Sequence, residues 1–427
     1  MNRAKHSAAA AFDQVVVTGL GMILPNADGP EPAWQHLAGG ASQIGTVPDA
    51  VAGHTGIRVA GRLGDFDHRE HLPDLPDNFV KRYGREILVV LSAVENARRD
   101  SGLERAALAP ERTGVIASSA RGPVEWWSQV RSGTALDDRW PVLSRGSGIF
   151  ASLPGSPAAL SAIRLNAQGF VTTYSNACIG GHQAIGTAAE QIQHGRADVV
   201  FVIGHEMPVV PEIFQIYSAP GSAVLSREVD PARAMKPYSA DRDGFALGEG
   251  AVVLVLEHAA HAAARNARCY AGIRAVHTVN EAGHATRMDL SGARTARMVD
   301  EVAAAAELSV RDLDYICGHG TATRYNDLAE VRAVRLLYGD GDAPPLGSVK
   351  PIFGHLLGAA GVLNCAALAM MLQRQRIVPT ANCSNVDPEC GGDHVAEGVR
   401  AAALRSVLSL AFAIGSQSSA VVMEAVA

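Results

Sequence analysis

Short apolar, β-branched runs alternate along the whole chain with longer segments in which apolar residues recur every three or four positions. The short runs predict buried strands and the periodic segments predict helices. This alternation is typical of βαβ units around a buried sheet, so we expect an α/β fold. In the first half the predicted strands are 14–21, 113–119, 197–204 and 250–257, and the predicted helices are 84–99 and 179–194.

The second half repeats this rhythm. An Ala-rich, basic stretch at 258–268 separates the two parts, and 427 residues exceed the size of one typical domain. We therefore predict two halves, 13–257 and 268–427. The segment 121–160, which contains Trp126, Trp127 and Trp140, has no clear period and predicts an irregular cover. The predicted elements of the second half are strands 267–277, 314–320 and 419–426 and helices 292–307, 325–337 and 358–373.

Composition narrows the range of partners. The net charge of −6 gives no basic field that would attract nucleic acid or anionic lipid. The uncharged segment 351–373 is long enough to cross a membrane, but His355, Asn364 and its glycines favour a buried helix. We expect neither a membrane nor a nucleic-acid partner.

Cysteine usage and short motifs exclude several kinds of site. The six cysteines include no C-x-x-C pair, which argues against a disulfide framework or a zinc knuckle and favours a reducing compartment. The N-terminus lacks the apolar region of a secretory signal, so we expect a cytoplasmic protein. "GLG" at 19–21 lacks the third glycine of a dinucleotide loop, and "HREH" at 68–71 is interpreted as a solvated surface run. No metal site is predicted.

One cysteine lies where a predicted strand turns into a helix. In "TTYSNACIGGHQAIGTAAEQI", Cys178 precedes Gly180 and Gly181 and stands at the first helical turn. The helix dipole and unpaired backbone amides favour a thiolate there, which suits a nucleophile. The alternative is a buried cysteine that acts only as a small hydrophobic residue.

Two histidines occur in matching settings. "YICGHGTATRYNDLAEV" ends a strand and carries His319 between glycines, while "GSVKPIFGHLLGAAG" carries Lys350 and His355 just before a helix. Either histidine alone is typical of an ordinary turn residue. Together with Cys178 they form a candidate nucleophilic site.

Five ordered stretches resemble the β-ketoacyl carrier-protein synthases (ketosynthases) of fatty-acid and polyketide assembly. They are "VVVTGLGMILPNADGPEPAWQHLAGGASQI", "SNACIGGHQAIGTAAE", "KPYSADRDGFALGEGAVVLVLE", "GHGTATRYNDLAE" and "SVKPIFGHLLGAAG". The resemblance implies a thiolase-like fold of two similar halves in five layers (αβαβα), normally dimeric, with the active site where the halves meet.

The same resemblance implies roles for individual residues. Cys178 corresponds to the acylated nucleophile, and His319 and His355 to the histidines that stabilise the decarboxylated extender. Lys350 and Glu330 correspond to a supporting charged pair, for which an ordinary buried ion pair is the alternative. Four further positions correspond to substrate-binding residues: Thr321 and Thr323 toward the phosphopantetheine arm, Phe412 at the gate, and Ile179 beside the thiol.

The chain also departs from the family. Ala413 and Ile414 stand where the gate usually has glycines, so we expect a stiffer or differently shaped loop, because a β-branched residue adopts a positive φ only at a cost. "ACIGG" adds the bulk of Ile179 beside the thiol. Such differences favour a specialised pathway over general fatty-acid elongation.

The resulting hypothesis is a decarboxylative Claisen condensation between a carrier-bound acyl chain and a malonyl-type carrier thioester, through an acyl-cysteine, in polyketide or other secondary metabolism. Alternatives are housekeeping fatty-acid elongation, an acyltransferase that forms an ester or amide, and a non-condensing partner subunit similar to a chain-length factor. No cofactor is expected, since phosphopantetheine of an acyl carrier protein holds the substrates. The expected partners are that carrier and a second subunit, in a homodimer or heterodimer.

Overall fold

Each half of the chain contributes five core strands to one large sheet. In the computed structural model the described residues are 9–132, 148–220, 224–286, 288–339 and 341–426. The core strands are Val15–Leu24, Thr113–Ser118, Val171–Tyr174, Val199–Glu206 and Gly250–His258 in the first half, and Ala271–Asn280, Tyr315–Cys317, Leu346–Gly347, Ser406–Ala413 and Gln417–Glu424 in the second.

The helices follow the predicted segments closely, with ends that shift by one to a few residues. The longer helices are Pro30–Gly39, Arg85–Asp100, Val124–Ser132, Ser156–Leu165, Gly180–Gln193, Pro211–Tyr217, Ala293–Ala305, Arg324–Tyr338 and Ala360–Arg374. Shorter helices are Asp49–Ala52, Asp77–Arg82, Gly148–Ala151, Ala259–Ala264 and Lys350–Phe353, and two-to-three-residue strands are Ala10–Ala11, Ala27–Asp28, Gly45–Thr46, Val59–Gly61, Leu247–Gly248, Arg376–Ile377 and Arg400–Ala401.

The two halves share one strand topology. In each, adjacent core strands follow the order first, fifth, fourth, second, third. The first–fifth and fifth–fourth pairs are antiparallel, and the fourth–second and second–third pairs are parallel, in both halves. The two first strands join where Ala271 pairs with Val17. The exact ends of the halves at 257 and 268 stay a prediction.

Two central helices, Gly180–Gln193 and Ala360–Arg374, contact strands of both halves. The helix Arg85–Asp100 packs on the first-half strands, and Ala293–Ala305 packs on the second-half strands. Outer helices, strands and central helices therefore alternate as αβαβα, which confirms the predicted architecture.

Small residues let the central helices approach each other closely. A Cβ atom on Gly181 would lie 2.9 Å from the Val362 backbone nitrogen, and one on Gly361 would lie 2.8 Å from the His182 ring. Gly181, which follows Cys178 closely in the sequence, therefore serves helix packing.

The uncharged segment is a core helix, as predicted. Leu357–Arg374 has the length and apolar composition to cross a membrane, but 89% of it is buried inside the fold. Its polar Asn364 donates long hydrogen bonds to the carbonyls of Gly318 and Leu410, at 3.5 and 3.4 Å.

Two loop predictions are wrong for part of their length. In the run 68–71, Arg69 and Glu70 are exposed as predicted, but His68 and His71 are buried and the His71 ring contacts the Asp28 carboxylate at 2.6 Å. The segment 121–160 contains the helix Val124–Ser132 and the start of the helix Ser156–Leu165, while Trp140 lies outside the described residues.

Candidate active site

The predicted nucleophile lies on a strained turn. Cys178 is the middle residue of a three-residue 3₁₀ turn that connects the strand Val171–Tyr174 to the central helix Gly180–Gln193. Ala177, which begins this turn, has a φ of 44°. A left-handed backbone costs a non-glycine residue about 1–2 kcal/mol, so the surrounding packing must hold the turn in place.

Three of the predicted catalytic side chains meet at this turn. The Cys178 sulfur lies 3.1 Å from His355 Nε2. The His319 ring is edge-on to the His355 ring, with centroids 5.3 Å apart, and is also edge-on to Phe412 at 5.7 Å. The thiol comes from the first half of the chain and both imidazoles come from the second, so the site forms where the halves meet.

The surroundings of Cys178 favour the thiol form, whereas the helix terminus was expected to favour the thiolate. Burial of the sulfur raises the pKa of Cys178 to about 12, and the Lys350 ammonium only partly opposes this effect. Desolvation therefore outweighs the helix terminus, since the turn places the sulfur in low-dielectric surroundings.

The two imidazoles are neutral. Burial lowers the pKa of His319 and of His355 well below the ordinary histidine value, and the Lys350 charge lowers both further. Among the described residues no hydrogen-bond partner reaches Nδ1 of either ring. Burial, reinforced by the Lys350 charge, thus keeps the rings uncharged, and no described residue fixes their tautomers through a hydrogen bond to Nδ1.

Lys350 and Glu330 do not form the direct ion pair that was the alternative to a supporting role, and the supporting role itself stays a prediction. Lys350 is 1% exposed, and its ammonium has no hydrogen-bond partner among the described residues. No ion pair within 4.0 Å joins it to Glu330 in that part of the chain. Glu330 instead accepts hydrogen bonds from the His319 and Gly320 amides and from the Tyr238 hydroxyl. Its carboxylate holds the backbone that carries His319, and burial raises its pKa to about 7.

The predicted substrate-binding residues occupy different surroundings. Thr321 and Thr323 hydrogen-bond each other through their hydroxyls at 2.9 Å, and Thr323 precedes the helix Arg324–Tyr338. Ile179 is completely buried beneath the turn. Its side chain therefore packs inside the protein next to the turn and does not line an open surface.

The gate segment is the hairpin between the last two strands. Phe412 and Ala413 end the strand Ser406–Ala413, and the left-handed positions fall on Gly415 and Ser416, with φ of 93° and 57°. Ile414 is 60% exposed and does not take a positive φ. Ile414 therefore does not take the left-handed position that the expectation assumed, because the left-handed residues come after it, and the stiffer or differently shaped loop stays a prediction.

Sequence reasoning missed a buried carboxylate behind the site. Glu206 ends an otherwise apolar strand and accepts hydrogen bonds from the Ala120 and Arg121 amides and the Ser119 hydroxyl, at 2.7–3.1 Å. It also accepts from the Gly358 amide at 2.9 Å. The sequence signal was the glutamate at the end of the run "ADVVFVIGHE". A charged residue in such a buried run needs hydrogen-bond partners, which indicates a built site.

The donor atoms at the site also have the spacing of a metal centre. Single ligand atoms of Cys178, His319 and His355 all lie within 4.8 Å of one another. A zinc ion accepts such a set, but the nearby Lys350 charge opposes a cation. A second group of donors, Asp28, Glu70 and His71, lies far along the chain from these motifs.

Comparison with known proteins agrees with this geometry. The β-ketoacyl synthase N-terminal domain family matches residues 12–262, and the corresponding C-terminal domain family matches 270–384. A putative polyketide β-ketoacyl synthase 1 of Streptomyces halstedii is 34% identical over 96% of this chain and 97% of its own.

Solved structures show the same similarity. A ketosynthase solved with its type II polyketide acyl-carrier protein and a hexaketide has a TM-score of 0.86 and 28% identity, over 98% of this chain and all of its own. The ishigamide ketosynthase/chain length factor has a TM-score of 0.86 and 26% identity, again over 98% and all of the two chains. With both domain families matched around one Cys–His–His centre, this chain belongs to the β-ketoacyl synthase family.

Proposed function

We propose that this protein condenses a carrier-bound acyl chain with a malonyl-type carrier thioester, with loss of carbon dioxide, through an acyl group on Cys178. The observation that supports this most directly is the 3.1 Å approach of the Cys178 sulfur to a neutral His355 imidazole, with His319 beside it. A nucleophile, a proton acceptor and a second imidazole are the groups that the two steps need.

In the first step Cys178 attacks the carbonyl carbon of the acyl thioester. A C–S bond forms to Cys178 and the C–S bond to the carrier breaks. The thiol proton passes through His355 to the departing phosphopantetheine thiolate. Because the thiol has a raised pKa, the imidazole at 3.1 Å must accept this proton as the bond forms.

In the second step the malonyl group loses its carboxylate as carbon dioxide, and the bonding pair becomes an enolate. Imidazole N–H groups of His319 and His355 stabilise the enolate oxygen, for which uncharged donors are required. The enolate carbon then attacks the acyl-cysteine, forms the C–C bond and releases Cys178, which takes up a proton. Lys350 supports both imidazoles through its charge, and Glu330 positions the backbone of His319.

We further propose a role in polyketide or other secondary metabolism, in keeping with the Streptomyces relative. Thr321, Thr323 and Phe412 would contact the phosphopantetheine arm and the acyl chain, and no cofactor besides the carrier's arm is required. An acyl carrier protein would deliver both substrates, and a second subunit, a copy or a relative, would complete a dimer. All six cysteines are free, which suits work in the cytoplasm.

The test combines purified protein with hexanoyl-carrier and malonyl-carrier labelled with ¹³C in the free carboxyl group. We expect labelled carbon dioxide and a β-ketoacyl carrier in equal amounts, and neither from Cys178→Ala. Loading of Cys178 without carbon dioxide would indicate an acyltransferase that forms an ester or amide. Absence of loading on a reactive thiol would indicate a non-condensing subunit.

A further inference from the structure

A cationic side chain lies near the nucleophile without a carboxylate partner. Arg121 follows the strand Thr113–Ser118 and donates a hydrogen bond to the Tyr217 hydroxyl. Its guanidinium carbon lies 5.0 Å from the centre of the Tyr217 ring. Among the described residues no carboxylate lies within 4.0 Å of this guanidinium, and its Nε, which is buried, has no hydrogen-bond partner.

The backbone that carries Arg121 is fixed. Glu206 accepts the Arg121 amide at 3.0 Å and the Ala120 amide at 2.7 Å, and the Ser119 hydroxyl accepts the Gly122 amide at 2.9 Å. The Glu206 carboxylate therefore accepts hydrogen bonds from two of these backbone amides. The Arg121 backbone is thus held in one place, and the Glu206 carboxylate binds that backbone without pairing with the guanidinium.

Packing connects this pair to the reactive sulfur. The Tyr217 ring is edge-on to Phe245, with centroids 5.9 Å apart, and Phe245 is edge-on to His355 at 5.1 Å. Cys178 and Tyr217 are half-buried and pack against the same apolar cluster. An acyl chain on Cys178 that extended over this cluster would therefore meet a guanidinium and a phenol.

We propose that Arg121 and Tyr217 bind a carboxylate on the acyl chain, which makes them specificity-determining residues for ω-carboxyacyl groups. This inference rests on the proposed acyl transfer to Cys178. A guanidinium presents paired N–H donors that match the two oxygens of a carboxylate. Since Arg121 donates to the Tyr217 oxygen, the Tyr217 proton is free to act as a further donor. A plain alkyl chain would cover the same guanidinium without pairing it, which is unfavourable.

The experiment measures acyl loading of the full chain by intact mass, with matched pairs of acyl carriers. The pairs are succinyl with butanoyl, glutaryl with pentanoyl, and adipoyl with hexanoyl, which differ only in a terminal carboxylate or methyl group. We expect at least one ω-carboxy chain to load tenfold faster than its alkyl match. The 6-amino-6-oxohexanoyl carrier, which is the uncharged terminal amide of adipoyl, tests whether a neutral oxygen at the same place suffices, and we expect it to load more slowly than adipoyl.

Variants assign the preference to these residues. Arg121→Met should bring the loading ratio of the favoured pair to about one. Arg121→Lys keeps the positive charge but loses the paired N–H donors of the guanidinium, so it should give an intermediate ratio. Tyr217→Phe should lower the ratio severalfold. Arg131→Met is the matched control, because Arg131 is 70% exposed and paired with Glu212 on the neighbouring helix. It should leave the ratio unchanged.

Three results would overturn the inference: equal loading of both members of every pair, a ratio that Arg121→Met does not change, or faster loading of 6-amino-6-oxohexanoyl than of adipoyl. Each of these leaves condensation intact, because Cys178 still becomes acylated. If no carrier acylates Cys178 although iodoacetamide alkylates it, the proposed function fails and this inference fails with it.

Discussion

Cys178 and Gly358 occupy corresponding positions in the two halves of the molecule. Each is the middle residue of a three-residue turn that leads into a central helix. Each turn begins with a left-handed residue, Ala177 with φ 44° and Leu357 with φ 43°. The proposed catalytic centre is therefore built on two copies of one turn, of which one carries the thiol and the other carries no side chain.

Gly358 should not tolerate a side chain. A Cβ atom there would lie 2.3 Å from the Ala120 backbone nitrogen, next to the turn that Glu206 holds. We expect Gly358→Ala to lower the free energy of unfolding by roughly 1–3 kcal/mol, as overpacking of a rigid core does. Urea denaturation checks this. Gly39→Ala is the control, because no atom lies within 4 Å of its Cβ position. Equal stability of the two variants would contradict the prediction.

The reactivity of Cys178 should rise steadily with pH. Because its pKa is raised to about 12, the thiolate fraction of the resting protein increases about tenfold for each pH unit well below that value. Iodoacetamide labelling between pH 6 and 9, followed by mass spectrometry, should show no plateau. Cys178→Ala supplies the background from the half-buried Cys269. A plateau below pH 8 would reveal a thiolate–imidazolium pair instead.

His319 should matter for decarboxylation more than for loading. The Cys178 sulfur touches His355 at 3.1 Å, whereas His319 reaches the centre through a ring contact with His355 at 5.3 Å. We expect His319→Ala to load acyl groups within about tenfold of the parent rate and to lose carbon dioxide release by 100-fold or more, since an enolate donor typically contributes a factor of about 10²–10³. Exposed His54→Ala is the control. Equal losses in both steps would refute this division of roles.

Lys350→Met should retain the fold. The Lys350 ammonium has no hydrogen-bond partner among the described residues, so its removal leaves no buried acid newly unpaired. We expect the free energy of unfolding to fall by less than about 1.5 kcal/mol, against roughly 3–5 kcal/mol when a buried ion pair is broken.

The same variant should label more slowly with iodoacetamide, because the Lys350 charge lowers the thiol pKa. Lys236→Met is the matched control, since buried Lys236 is paired with Glu228 at 3.0 Å. A larger loss of stability in Lys350→Met than in this control would indicate that Lys350 forms a buried ion pair, which was the alternative to a supporting role.

The alternating patterns predicted the α/β class, and the resemblance carried by the ordered motifs implied the five layers and the meeting of Cys178, His319 and His355. The sequence did not predict contacts that depend on side-chain direction. The order of the motifs assigns Lys350 and Glu330 to one site, but the Glu330 carboxylate accepts hydrogen bonds from backbone amides and does not contact the Lys350 ammonium. Arg121 and Tyr217 are 96 residues apart, and only tertiary packing brings them together.

The contacts of the central helices with both halves also determine how the chain can be divided for expression. Gly180–Gln193 and Ala360–Arg374 each lie against strands from both halves, and the second of these helices is almost wholly apolar and buried. Neither half expressed alone would have a partner for these apolar surfaces. Co-expression of two fragments split between the halves is accordingly the way to divide this enzyme, since a single fragment would aggregate.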